Sequence, residues 1–126
     1  MPGRERMPGV RVVAEPAALD GARWAGDGVI VLRTAPDEAL ALGATGVEVA
    51  DPHAIVEADA GFVGGPVDLE RVMAHVEWGL PAERPALAQG SIAGVPAKLW
   101  LTDAGALLVV QAAWADELAE RIGWRA

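Results

Sequence analysis

At 126 residues, with 52% hydrophobic side chains and a formal net charge of −8, the chain is large enough to bury its own core and reads as ordered and globular. The lack of cysteine excludes disulfides, thiolate metal sites and a cysteine nucleophile, and the acidic balance, with Lys98 the lone lysine, excludes a nucleic-acid-binding surface. No apolar run reaches the roughly 18 residues of a membrane span, and residues 1–16 hold no signal-peptide core, so the sequence reads as that of a soluble, cytoplasmic protein with no membrane partner.

Residues 1–10, broken by Pro2, Gly3, Pro8 and Gly9, read as a flexible N-terminal arm, and residues 11–126 as a single α+β domain. Residues 11–13 (RVV) suit a short edge strand, while 16–24 stay open between a helical turn and a loop. Residues 28–33 (GVIVLR) predict a strand closed by a turn at Pro36-Asp37. Residues 39–42 (ALAL) fit the returning strand of that hairpin or a helical turn, and 43–46 (GATG) read as a loop. A short strand at 47–50 ends at Asp51-Pro52, and 53–59 (HAIVEAD) predict another, which 60–63 extend. After the break at 64–66 (GGP) a helix is expected. Asp68 and Glu70 occupy its first turn, Leu69, Val72, Met73 and Val76 form its buried stripe, and Gly79 and Pro81 end it.

Residues 87–122 carry the clearest pattern. The run 96–102 (PAKLWLT) places Ala97, Leu99 and Leu101 on one face and Lys98, Trp100 and Thr102 on the other. Residues 103–105 (DAG) form a three-residue hairpin loop, with glycine where a positive φ is needed. Residues 106–111 (ALLVVQ) are apolar on both faces, as an interior strand would be. Trp114, Leu118 and Ile122 then recur at helical spacing beside Ala115 and Ala119, and Gly123 terminates the helix. The order of strands, helix, strands, helix predicts an α+β fold, a mainly antiparallel sheet covered by two or three helices.

Catalytic patterns are scarce. His53 and His75 lie far apart and in no metal-ligand spacing. Asp51, His53, Glu57 and Asp59 alternate along a predicted strand, which suits either a hard-metal or acid–base face or a plain solvent-facing edge. Residues 61–66 (GFVGGP) precede a helix, yet they lack the Lys-Ser/Thr of a phosphate loop and do not spell G-x-G-x-x-G. Ser91 has no nucleophile-elbow context. No catalytic, cofactor-binding or metal residue is therefore assigned. Five tryptophans beside one phenylalanine and no tyrosine are the unusual feature. Trp78, Trp100, Trp114 and Trp124 are candidate anchors of a protein–protein interface, where indoles concentrate binding energy. The same rings also suit the edge of a core with their N–H groups in water.

From residue 65 to 122 the succession is a strand ending in Gly-Pro, an acidic residue opening a helix, and a Gly-Leu-Pro loop. Then come Ala-Gln-Gly-Ser-Ile, Ala-Gly-Val-Pro-Ala-Lys-Leu-Trp, a Thr-Asp turn, Ala-Leu-Leu-Val-Val, and a helix opening Ala-Ala-Trp-Ala. This resembles the gamma subunit of heterotetrameric sarcosine oxidase, a small relative of the aminomethyltransferase (glycine-cleavage T-protein) domain. Residues 31–38 (VLRTAPDE) are similar to that family's R-x-x-P-D-E turn, while the K-G-C-Y-x-G-Q-E segment of the folate-binding relatives is absent. The resemblance implies an aminomethyltransferase-like fold and a non-catalytic structural subunit of an amine-oxidising flavoenzyme complex. It further implies that flavin, NAD and tetrahydrofolate are held by larger flavoprotein and folate-binding partner subunits, and none by this chain. The alternative is a stand-alone, folate-like small-molecule binding module of the same fold.

Overall fold

Alternating burial organises two separate antiparallel sheets in the computed structural model, which describes residues 3–125. Each sheet gathers its own hydrophobic cluster, and the chain divides into two compact units. Residues 3–6 with 61–125 make the first unit, and Met7–Ala60 the second.

The first unit comprises β1 (Glu5–Arg6), β6 (Phe62–Val67), α2 (Leu69–Met73), β7 (Ala86–Ile92), β8 (Val95–Thr102), β9 (Gly105–Gln111) and α3 (Ala112–Ile122). Its strands run β1-β6-β9-β8-β7, every pair antiparallel. Along β8, Val95, Ala97, Leu99 and Leu101 are buried, and Ala106, Leu108 and Val110 of β9 join them, as the period of two requires. Onto this face α3 lays Ala115, Leu118, Ala119 and Ile122. Leu99, Leu101, Leu108 and Leu118 are each 0% exposed, and burying one such side chain is worth about 1.5–3 kcal/mol. Gly123 ends α3 at φ +71°, the left-handed conformation that its missing side chain permits. β9 lies between β6 and β8, the interior place that its two apolar faces predict.

Several expectations for this unit are corrected. The N-terminal arm is not free over its described part: Glu5 and Arg6 pair with Gly64 and Val63, and the Arg4 N–H donates to the Arg125 carbonyl at 3.1 Å. Met1 and Pro2 of that arm lie outside the described residues. Residues 64–66 continue strand β6 instead of breaking it; a side chain on Gly65 would bring its Cβ within 2.7 Å of Arg4 Cα. α2 is only five residues long, and Met73 is 49% exposed rather than part of a stripe. Beyond Met73 the chain tightens: the His75 and Val76 N–H groups donate to the Val72 and Met73 carbonyls, and the His75 carbonyl turns to accept from Ala93 N–H. Trp114 sits one residue outside the buried stripe of α3, about 100° around the helix, and is 40% exposed. The hairpin loop after β8 has two residues, since Thr102 pairs with Gly105.

The second unit comprises β2 (Gly9–Val13), α1 (Pro16–Asp20), β3 (Arg23–Ala35), β4 (Glu38–Glu48) and β5 (Ile55–Asp59), in strand order β3-β4-β2-β5. Val10, Val12, Leu19, Ala39 and Ala41 form its cluster. β2 is an interior strand, not the edge strand expected. β4 continues through residues 43–46, where a loop was expected, because Gly43 at φ +85° faces an irregularity in β3 between Gly26 and Ile30; the glycines serve a bulge inside the strand. The fold is thus antiparallel sheet with three short helices, consistent with α+β. No helix of the described residues is long and apolar enough to cross a membrane.

Candidate functional site

The four tryptophans singled out from the sequence have different fates. Trp78 lies in the connection after α2, half-buried, with its Nε1–H donating to the Ser91 carbonyl at 2.8 Å. Its ring covers Gly90 of β7, so closely that a Cβ there would lie 2.5 Å from Trp78 Cε2. Trp124 is 6% exposed and belongs to the core of the first unit. The Arg4 guanidinium stands 5.9 Å from its ring centroid and donates to its carbonyl oxygen at 2.8 Å. Its own Nε1 is buried and has no hydrogen-bond partner among the described residues. Trp100 is half-buried on the face of β8 opposite Leu99, with Leu87 and Leu107 as cross-strand neighbours. Trp114 alone of the four is exposed. They do not share one face: Trp78 and Trp124 pack with the α3-side core, and Trp100 lies on the other side of the sheet.

The alternating acid–histidine face is not assembled. Asp51 and His53 precede β5, in a turn where the Asp51 carboxylate accepts from the backbone N–H of both Glu15 and His53 at 2.9 Å. Those two hydrogen bonds hold the Asp51 carboxyl below the ordinary aspartate range. Glu57 lies on β5 directly across from Arg11 of β2, 3.7 Å from its guanidinium, which also holds Glu38 at 2.8 Å. Glu38, followed by the charges of Glu57 and Asp59, raises the Arg11 pKa beyond its already high value. These carboxylates serve a cation, and no three His, Asp or Glu side chains among the described residues come together as a metal-ligand set. Within the glycine-rich stretch 61–66, which lacks the marks of a phosphate loop, residues 62–66 are paired strand against β9. The Lys98 ammonium lies 5.6 Å from the Phe62 ring centroid and 3.1 Å from Gln89 Oε1.

A cavity of about 300 Å³ opens in the first unit where α2 meets the end of α3. Val67, Val72, Ile122 and Trp124 supply its apolar wall, and Asp68, Arg71 and Arg125 its polar groups. The absence of a side chain on Gly123 admits Arg71, whose Nη1 would lie 3.2 Å from a Cβ placed there. Sequence reading missed this site because Arg71 and Arg125 lie 54 positions apart, and only the packing of α2 beside α3 brings them together. A glycine helix stop followed by Trp-Arg was the one local signal.

No protein-family model matches the chain, and no curated protein sequence matches it either.

Proposed function

We propose that the chain is a non-catalytic structural subunit of a sarcosine-oxidase-like, amine-oxidising flavoenzyme complex of the cytoplasm, built on an aminomethyltransferase-like fold. The observation that supports this reading is that residues 65–122, which carry most of the resemblance, fall within one compact unit, from β6 to α3, while the similar turn at 31–38 lies in the other. The first unit presents an exposed indole, Trp114, on the outer side of α3. Flavin, NAD and tetrahydrofolate belong to the larger partner subunits on this reading, and this chain packs against one of them. Purification of the tagged full chain from its native host tests it. A yellow flavoprotein partner co-eluting in stoichiometric amount is the expected result, and a chain that runs only as a lone monomer overturns it.

A second reading, a small-molecule binding module, is favoured by the cavity beside Trp124. Tryptophan fluorescence titrated with folates is its test, and an unchanged signal up to millimolar ligand counts against a folate-like molecule.

A further inference from the structure

We propose that the cavity between α2 and the end of α3 binds a small carboxylate carrying an apolar, ring-sized body. At about 300 Å³ it lies at the lower end of the roughly 300–1,000 Å³ typical of small-molecule pockets. The wall of Val67, Val72, Ile122 and the Trp124 ring suits an aromatic or branched aliphatic group. The acid is argued from charge. In this acidic chain Arg4, Arg11, Arg33 and Arg121 each hold a carboxylate, at distances of 3.3 Å or less. Arg23, Arg71, Arg84 and Arg125 form no ion pair among the described residues, and of these Arg71 and Arg125 border the cavity together. The one carboxylate among the described lining residues, Asp68, is engaged at the start of α2, where it accepts from the Glu70 N–H at 3.1 Å. Two guanidiniums against one carboxylate leave the rim cationic, and a guanidinium fork matches a carboxylate in shape as well as charge. Trp124 lines the wall, so the resonance of its Nε1–H, buried and without a hydrogen-bond partner among the described residues, serves as a reporter of occupancy.

The proposal deepens the second reading and fails separately from it. Folates that bind while smaller acids do not overturn this ligand class and leave the module reading standing. The experiment follows the indole Nε1–H resonances of the ¹⁵N-labelled full chain during titration with 3-phenylpropionate, with Trp124 assigned from W124F. The expected result is a saturable shift of the Trp124 signal. The neutral isostere 3-phenylpropionamide should bind about tenfold more weakly, the size of one charge-assisted hydrogen bond. R71Q, at an exposed position, should weaken binding by a similar factor with the thermal midpoint unchanged. Equal binding of acid and amide overturns the proposal, as does inorganic phosphate binding as tightly as the acid. Movement of the other indoles without Trp124, or unchanged affinity in both R71Q and R125Q, overturns it too.

Discussion

Gly90→Ala should destabilise the first unit, although alanine is ordinarily the better strand residue. Replacing a strand glycine by alanine relieves about 0.5–1 kcal/mol of chain entropy. Here the new Cβ would stand 2.5, 2.7 and 2.8 Å from Cε2, Cζ2 and Nε1 of Trp78. The indole must retreat by about 1 Å to restore a normal carbon–carbon contact near 3.5 Å. That retreat breaks the 2.8 Å hydrogen bond from Trp78 Nε1 to the Ser91 carbonyl, worth about 0.5–1.5 kcal/mol net. It also strains the packing around the ring, for which overpacking typically costs about 1–3 kcal/mol. The balance is a net loss centred on about 2 kcal/mol. Denaturant unfolding followed by circular dichroism measures it in four proteins: the natural chain, Gly90→Ala, Trp78→Ala and the double variant. With Trp78 gone, the same glycine replacement should be neutral or stabilising by about 0.5–1 kcal/mol. A Gly90→Ala cost that is equal in both backgrounds would refute the assignment of Trp78 to the interior of this unit, and would return it to the pool of free interface anchors.

Trp114→Ala should alter stability by no more than about 0.5 kcal/mol, as for other exposed positions, yet abolish co-elution of a flavoprotein partner in affinity purification. Gly9→Ala should cost the second unit about 3 kcal/mol, because its Cβ would lie 2.2 Å from the Ala41 carbonyl oxygen and backbone cannot step aside as a side chain can; lost amide protection along β2 and β4 is the readout. Ala93→Asn should stabilise by about 0.5–1 kcal/mol in thermal unfolding, since Ala93 occupies the left-handed region at φ +49° ahead of Gly94, where Asn-Gly is the favoured pair. Asp51 has a folded pKa below its unfolded value of about 3.9, so its contribution is present above that value and is lost as pH falls through the lower, folded one. Asp51→Asn should therefore flatten the acid limb of stability below about pH 4, and an unchanged limb would show that the Glu15 and His53 hydrogen bonds do not distinguish the two states.

What could be read from the sequence follows the strictness of the local pattern. Residues 96–122 alternate cleanly and then switch to helical spacing, and β8, β9, α3 and the Gly123 stop appear within a residue or two of their expected places. Strand β7 carried no such signal. Its turn to β8 uses Ala93 in a conformation usually reserved for Gly or Asn, so Gly94 alone marked the hairpin. Glycine misled twice for one reason. At Gly43 and Gly65 it permits a bulge or a close backbone approach inside a strand, and a residue scale cannot distinguish that from a loop. α2 was expected to be longer because its apolar spacing continues to Val76, whereas the His75 carbonyl is drawn to Ala93, across a contact that sequence order does not display.

The tryptophans show how tertiary context decides between two roles that composition leaves equal. An indole has one donor and two faces, and an interface anchor keeps them available, whereas a core-edge residue spends them within its own fold. Trp78 spends both, its N–H on Ser91 and a face on Gly90. Trp124 spends its ring on the core and on Arg4, and its buried N–H has no partner among the described residues. That ring lines an apolar cavity bordered by Arg71 and Arg125, two arginines that form no ion pair among the described residues. Trp114 lies under neither constraint, 40% exposed on the outward side of α3. The two proposals thus separate by residue: Trp114→Ala bears on partner binding and Arg71→Gln on ligand binding, and a variant that disturbs both would mean that the cavity and the partner surface are one site.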